Sequence, residues 1–160
     1  ALIKGFAYSY DIDSIIFRFG NIYGPFSYHK EGIITKAIKF NLGVLQDVHI
    51  YGDGSSTRDY LYVDDLITVI IKSILEINSS KGVDIYHLGT GVSTSVLQVL
   101  EAIEKEFNTK KTYDFCSVNR GEVVTNSLNV NKMNSRFGEV SNKFGLGIKK
   151  TIDWYKKTGE

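Results

Sequence analysis

The chain has 160 residues, of which 42% are hydrophobic and 23% are charged, and its formal net charge is +1. This composition predicts one ordinary globular domain. The near-zero charge argues against a basic surface for nucleic acid or an anionic membrane, and no apolar run approaches the ~18 residues of a membrane span. The single cysteine, Cys116, cannot form an internal disulfide, which fits a reducing cytoplasm.

The first ten residues have the pattern of a helix. Four apolar residues recur on one face at helical spacing: Leu2, Ile3, Phe6 and Tyr10. No capping residue precedes them, so we expect the helix to continue from a longer protein upstream.

A parallel strand and an amphipathic helix are predicted next. Residues 14–19 form a short apolar run without alternation, which favours a strand covered on both faces. Gly24 and Pro25 end this segment. Apolar residues at helical spacing then predict a helix over 33–42, with Gly43 as its C-terminal cap.

The middle of the chain contains two further extended segments. Residues 48–51 form a short strand that stops at a Gly-Asp-Gly turn. Residues 61–63 are also extended, and we expect Asp64 or Asp65 to cap a helix over about 66–77.

Residues 85–88 predict another parallel strand. Ser95 and Gln98 have the spacing of a capping box, which predicts a helix ending near Phe107. Residues 112–116 favour a further strand.

The last segments predict two helices. Asn131 is expected to cap a short helix that ends at Gly138, and Ile148, Ile152 and Tyr155 form one face of a final helix. The alternation of strands and helices predicts an α/β fold, with a small lobe inserted between the two parallel strands.

Two stretches resemble a known family. One is the sequence Arg-Phe-Gly-Asn-Ile-Tyr-Gly-Pro at 18–25, and the other is Tyr-Gly-Asp-Gly at 51–54 followed by Arg-Asp-Tyr-Leu-Tyr-Val-Asp-Asp at 58–65. In this order they are similar to the carboxy-terminal half of the extended short-chain dehydrogenases/reductases, the NAD-dependent epimerases and dehydratases of nucleotide-linked sugars. A weaker element, Arg-Gly-Glu-Val at 120–123, favours epimerases of the UDP-glucose 4-epimerase type over dTDP-glucose 4,6-dehydratases.

The resemblance implies the carboxy-terminal portion of a Rossmann-type fold. Residues 1–24 and about 83–107 would pack on the Rossmann sheet, whereas about 25–82 and 108–160 would form the substrate lobe. The glycine-rich NAD loop and the catalytic Tyr-x-x-x-Lys pair do not occur in the sequence. We therefore expect the NAD-binding half to lie upstream and this chain alone to be inactive.

Asn21 follows the predicted strand at the end where parallel sheets bind ligands. By itself, an Asn before Gly-Pro more commonly stabilises a turn. In the resembling family an Asn at this position contacts the phosphates of the nucleotide sugar, and the residues matching Phe19 and Gly20 line the nicotinamide. Many epimerases carry a bulky aromatic residue where this chain has Gly20.

Arg58 is the main candidate for binding a diphosphate, because a guanidinium offers charge-assisted, bidentate donors. The alternative is a surface ion pair with Asp59 or Asp53. The resemblance implies that Arg58 binds the diphosphate or ribose and that Tyr60 helps to line the same pocket.

The resemblance assigns four further substrate-binding positions. His49 and Tyr51 match a segment whose backbone contacts the base. Arg120 would bind the diphosphate as a second arginine, and Glu122 would hold ribose hydroxyls or organise its loop. Without the resemblance, Arg-Gly-Glu is only a turn with surface charges.

Other motifs carry no chemistry in this interpretation. Adjacent carboxylates at 64 and 65 fit a helix start better than a catalytic pair. Gly89 and Gly91 lack the rest of a dinucleotide fingerprint. The histidines have no metal-ligand spacing: His29, His49 and His87.

The resemblance therefore implies NAD as cofactor and a UDP- or dTDP-linked sugar as ligand. It also implies a cytoplasmic homo-oligomer, most simply a dimer, acting in polysaccharide biosynthesis, with no nucleic acid or membrane partner. The competing hypothesis is a stand-alone module that binds nucleotide sugars, or a partner chain, without catalysis. A nucleic-acid binder is a distant third, because the ten tyrosines are not accompanied by a basic groove.

Overall fold

Helices and short strands alternate along the chain. The structure is a computed structural model that describes residues 2–76, 82–118, 121, 123–141 and 143–158. In chain order its elements are α1 (Leu2–Tyr10), β1 (Ser14–Phe19), β2 (Asn21–Tyr23), α2 (Ile33–Asn41), β3 (His49–Tyr51), β4 (Thr57–Arg58), β5 (Tyr60–Tyr62), α3 (Val63–Leu75), β6 (Val83–Leu88), β7 (Thr94–Ser95), α4 (Val96–Phe107), β8 (Asp114–Cys116), β9 (Thr125–Asn126), α5 (Asn131–Phe137) and α6 (Phe144–Thr158).

The two strands predicted to be parallel do pair. β1 and β6 run parallel in register, with Phe17 opposite Tyr86. The expectation that β1 is covered on both faces is wrong for its last two residues, because Arg18 and Phe19 are exposed. They lie at the carboxyl end of the strand, where a parallel sheet presents its ligand-binding edge.

β2 and β5 form a second parallel pair that separates two hydrophobic cores. Their side chains alternate between the two faces, as strand geometry requires. Tyr23 and Tyr62 enter a core formed with α2, α4 and α6. Leu61 and, partly buried, Ile22 enter the other core, formed with β6, α3 and α5. The sequence pattern did not predict β2, because the strand is only three residues long and ends directly before Gly24.

Two small sheets complete the α/β arrangement. β3 pairs with β8 in parallel, which confirms both predicted strands. β4 lies between β7, which is antiparallel to it, and β9, which is parallel.

The start of α3 differs from the prediction. The helix begins at Val63 with Tyr62 at the N-cap position, and no side chain caps it. The prediction that Asp64 or Asp65 caps a helix starting near Leu66 is therefore wrong. β5 leads directly into α3 without a loop, so both carboxylates lie in the first turn, where they face the positive end of the helix dipole.

Nearby side chains and a glycine determine where α4 begins and where α5 begins and ends. The capping box of α4 is confirmed: Gln98 N donates to Ser95 Oγ over 3.1 Å, and Ser95 N donates to Gln98 Oε1 over 2.8 Å. The prediction that Asn131 caps α5 is wrong: Val130 holds the N-cap position and Asn131 is the first helical residue, whose N–H donates to Asn129 Oδ1. The helix ends before Gly138, which has a φ of 85°.

The predicted first helix is present, but its apolar face is exposed. Within α1 only Ala7 is buried. The rings of Phe6 and Tyr10 stack on each other at 5.6 Å between centroids.

Candidate functional site

A cavity of about 600 Å³ opens where β1 is followed by β2. The strand ends, the loop before α2 and the segment that contains β4 and β5 surround it. Its lining residues are Phe19, Gly20, Asn21, Ile22, Tyr23, Ser27, Lys30, Gly32, Ile33, Ile34, Thr35, Ser56, Arg58, Tyr60 and Val96.

Strand register brings the predicted polar residues together at this cavity. Asn21 stands opposite Tyr60 across the β2–β5 pair, and Asn21 N donates to Asp59 O over 2.7 Å. Arg58 precedes this pair in β4. Phe19, which is 50% exposed, presents its ring beside them. Residues nearly forty positions apart in sequence therefore share one wall.

Arg58 forms no ion pair with a described carboxylate. Its Nη1 donates to the carbonyl of Thr57 over 2.8 Å. The carboxylate of Asp59 is bound elsewhere, and that of Asp53 accepts from Ser55 N. The alternative interpretation, a surface pair with either aspartate, does not fit this geometry. The guanidinium is half-buried at the cavity and retains free donors for an anion.

Asp59 is 2% exposed and holds three chain segments behind the cavity. Its carboxylate accepts from Thr90 N at 2.8 Å, Thr90 Oγ1 at 2.7 Å and Gly91 N at 2.9 Å, and a longer contact of 3.4 Å comes from Leu128 N. A buried carboxylate is stable where such donors surround it. Asp59 therefore fixes the backbone that carries Arg58.

Gly20 is required by packing against this same segment. A Cβ at residue 20 would lie 2.8 Å from the carbonyl oxygen of Asp59. A bulky side chain at this position would have to displace the 58–60 segment.

Tyr60 lines the cavity with a largely buried side chain. Its ring packs near those of Tyr23 and Phe144. Burial raises the pKa of the Tyr60 phenol, and the positive charge of Arg58 opposes part of this rise. The phenol therefore stays protonated at neutral pH and can donate a hydrogen bond.

A buried hydroxyl cluster supports the loop between β2 and α2. The hydroxyl of Tyr155 lies 3.0 Å from Ser27 Oγ and 3.2 Å from Thr35 Oγ1. Ser27 Oγ also donates to the carbonyl of Gly24. These bonds tie the loop to α6, so the cavity wall at 27–35 is anchored from behind.

His49 and Tyr51 lie in a neighbouring hollow of about 190 Å³ and not in the main cavity. The two spaces share Ile33, Ser56 and Val96 as lining. His49 Nδ1 is 3.7 Å from a carboxylate oxygen of Asp114 on the paired strand. The predicted residues Arg120 and Glu122 fall outside the described part of the chain.

Lys30 and Ser56 line the cavity, but sequence reasoning did not select them. Neither belongs to a motif with a recognisable chemical spacing. The only available signal for Lys30 was a cation in the loop between a strand and a helix, which is common on any surface.

Among the described residues, no group of three or more His, Cys, Asp or Glu side chains is placed to hold a metal ion. No described helix is both long and apolar enough to cross a bilayer.

The fold and the cavity together define a class of protein. The α/β chain brings a guanidinium, an amide and an exposed aromatic ring together at one cavity, beside the carboxyl end of the parallel strand β1. The NAD dependent epimerase/dehydratase family matches residues 1–89. The chain belongs to this family.

Relatives of known activity cover the same region. UDP-glucose 4-epimerase of Bacillus subtilis is 31% identical over 64% of this chain and 36% of its own length. The crystal structure of UDP-glucose 4-epimerase with UDP-glucose from Thermotoga maritima is 27% identical, with a TM-score of 0.85 over 99% of this chain and 51% of that one.

A dehydratase of known structure has the same sequence identity to the chain. The structure of dTDP-glucose 4,6-dehydratase from Bacillus anthracis in complex with NAD is 27% identical, with a TM-score of 0.80 over 98% of this chain and 49% of that one. The chain thus spans about half the length of these solved relatives. It shares their Rossmann-type α/β fold.

Proposed function

We propose that this chain is the nucleotide-sugar-binding portion of an NAD-dependent epimerase or dehydratase. Within that class we propose a UDP-hexose 4-epimerase, which acts by transient oxidation at C4 of the sugar. The observation that carries the proposal is the cavity in which Arg58, without a described carboxylate partner, faces the same space as Asn21 and Tyr60.

The polar wall is assigned to the diphosphate and the sugar. Arg58 neutralises the diphosphate, because a guanidinium matches two phosphate oxygens at once. The amide of Asn21 donates to a phosphate, and the neutral phenol of Tyr60 completes the wall between them. Each of these groups can donate a hydrogen bond, as an anion requires.

The hollow beside the cavity is assigned to the base. We propose that the backbone at His49 and Tyr51 contacts the edge of the uracil or thymine ring, since this hollow is continuous with the wall near Ser56. Arg120 and Glu122 keep their proposed roles at the diphosphate and the ribose.

The cofactor side is assigned to Phe19 and Gly20. When bound, NAD would supply the hydride acceptor for the sugar. Phe19, whose side chain is half exposed, and Gly20, which has no side chain, both line the cavity, and a planar ring can approach such a pair closely. No Tyr-x-x-x-Lys pair occurs in the sequence, so we propose that this chain alone binds ligand without turnover.

A dTDP-glucose 4,6-dehydratase is the second candidate. It is supported by the Bacillus anthracis dehydratase, whose sequence identity to this chain, 27%, equals that of the Thermotoga maritima epimerase. A non-catalytic module for binding nucleotide sugars would use the same cavity, and activity of the whole protein would distinguish it.

The division into domains and the assembly are also proposals. We propose that β1 and β6 belong to the Rossmann sheet and that the rest of the described chain forms mainly the substrate lobe. The buried core shared by α2, α4 and α6 favours placing α4 with the lobe. We further propose a cytoplasmic homo-oligomer, which light scattering of the purified protein would test.

Calorimetric titration with UDP and dTDP tests the binding site. We expect the chain to bind UDP and the variant Arg58→Ala to lose about 10-fold or more in affinity, because a charge-assisted contact to phosphate is removed. Lys105→Ala removes an exposed cation on α4 and is the matched control. A folded chain that binds neither nucleotide, or an Arg58→Ala variant that binds UDP unchanged, would contradict the proposal.

A further inference from the structure

A second cavity, of about 490 Å³, borders the loop between β2 and α2. Its described lining residues, which we call the aromatic pocket, are Phe26, Tyr28, His29, Trp154 and Thr158. None of these five lines the main cavity, to which the same loop contributes Ser27 and Lys30. The loop therefore serves two separate hollows, and the size of the second is within the range of small-molecule sites.

The rings of the aromatic pocket are inclined to one another. Phe26 meets Trp154 at 4.9 Å between centroids and an angle of 52°, and Tyr28 meets Tyr155 at 5.1 Å and 62°. The hydroxyl of Tyr155 ties the loop to α6, so this arrangement is anchored. Because Phe26 and Trp154 already contact each other, no flat ring is sandwiched between them. A puckered ring, whose C–H groups project in several directions, fits such inclined faces better than a planar base does.

The backbone holds the ring of Phe26 at the surface under strain. Its φ of 64° lies in the left-handed region, which is unfavourable for a bulky residue. The side chain is 77% exposed and belongs to neither hydrophobic core, so core packing does not explain the strain. Strained residues of this kind cluster at ligand sites. Phe26 is therefore a candidate ligand contact.

The polar groups of the aromatic pocket favour a neutral ligand that carries hydroxyls. The phenol of Tyr28, the imidazole of His29 and the indole N–H of Trp154 form no hydrogen bond with a described residue. The described lining has no carboxylate, lysine or arginine to pair with a charged ligand. The Nζ of Lys39 lies 4.0 Å from the centre of the Tyr28 ring, and its charge opposes a second cation there.

We propose that the aromatic pocket binds a neutral saccharide. The inclined rings contact the C–H faces of the sugar, and Tyr28, His29 and Trp154 exchange hydrogen bonds with its hydroxyls. This site goes beyond the proposed nucleotide-sugar function and does not rest on it, because it uses neither Arg58 nor any other residue of the main cavity.

The fluorescence of Trp154 tests the proposal directly, since it is the only tryptophan in the sequence. Methyl β-glucoside or methyl β-galactoside should produce a saturable change with a dissociation constant on the order of 1 mM, as expected for about a dozen heavy atoms at an open site. Phe26→Gly should weaken binding about 5-fold or more, because a ring contact is lost. Glycine accepts the positive φ of this residue, so the variant should fold.

Two variants serve as controls. Tyr8→Ala removes an aromatic side chain from α1 that is also 77% exposed, and it should leave glycoside binding unchanged. Arg58→Ala alters the main cavity and should also leave it unchanged. Titration of the same proteins with UDP tests the proposed function separately, so its failure would not affect this result.

Three results would overturn the inference. The first is a folded chain that gives no saturable signal with either glycoside. The second is glycoside binding that survives unchanged in Phe26→Gly or is lost in Arg58→Ala. The third is a signal from uridine that depends on Phe26 while neither glycoside binds, which would assign the aromatic pocket to a base.

Discussion

Asp59 shows how a single buried side chain organises the site. The sequence placed it next to Arg58, where an ion pair was one interpretation. In the structure its carboxylate points away from Arg58 and accepts hydrogen bonds from the turn at Thr90 and Gly91. The consequence is a fixed backbone on which Arg58 is free to bind an anion.

We expect Asp59→Ala to lower the free energy of unfolding by about 3 kcal/mol, because buried donors at Thr90 and Gly91 lose their acceptor. Asp59→Asn should cost less, since its amide oxygen can still accept from Thr90. Chemical denaturation measures both variants.

Asp47→Ala, at an exposed aspartate before β3, is the control and should change stability by less than about 0.5 kcal/mol. Equal effects at Asp47 and Asp59 would show that the carboxylate of Asp59 does not hold the turn.

Some residues of the cavity could be selected from their sequence neighbours, and others only from the tertiary structure. Arg58 and Asn21 were selected because guanidinium and amide groups beside a strand end suit phosphate. Lys30 has the same kind of charge, but only the hydrogen bond to Ile22 places it at the cavity.

At the scale of elements, α6 approaches the central strand pair very closely. A Cβ on Gly147 would come within about 3.0 Å of the rings of Tyr23 and Tyr62. Tyr23 also donates from its hydroxyl to the carbonyl of Phe144 over 3.2 Å. The absence of a side chain at Gly147 therefore sets the distance between helix and strands.

Gly147→Ala should destabilise the protein by about 1–3 kcal/mol, because the added methyl group overpacks this contact. Gly145→Ala is the matched control in the same helix, where nothing lies within 4 Å of the added Cβ. It should stabilise by up to about 1 kcal/mol, since Ala has the higher helix propensity. Thermal unfolding measures both, and stabilisation by both substitutions would refute the close packing.

The capping box of α4 and the start of α3 show what a local pattern can predict. Ser95 and Gln98 satisfy each other within one turn, so the sequence alone was sufficient. The start of α3 depends on how β5 pairs with β2, which is a contact distant in sequence. Asp64 and Asp65 carry the chemistry of a cap, but the helix had already begun before them.

At the scale of the molecule, two hydrophobic cores meet at the β2–β5 pair. The phenol of Tyr113 packs at the margin of the first of these cores. Tyr113 precedes β8 and packs against the ring of Phe40. Burial raises the pKa of the Tyr113 phenol from 10.0 to about 12, and the nearby carboxylate of Glu104 adds to the rise.

This shift predicts a loss of stability in alkali. As pH rises from 10 toward 12, the unfolded chain releases the Tyr113 proton before the folded chain does, so the free energy of unfolding falls. Tyr113→Phe lacks this contribution and should lose less stability over that range. Denaturant midpoints at about pH 8 and about pH 11 measure the loss of stability in each protein. An equal loss in the unmodified chain and in Tyr113→Phe would contradict the prediction.

The sequence by itself determined the α/β class, most helices, the parallel strands and the family, because periodicity, capping and short motifs are local in the chain. Tertiary structure decided the rest. It placed β2 beside β5, directed Asp59 away from Arg58, required glycine at residue 20 and brought Lys30 to the cavity. The physical reason is that each of these features depends on strand register and close packing between segments that are distant in sequence. The pattern of neighbouring residues does not determine register or packing.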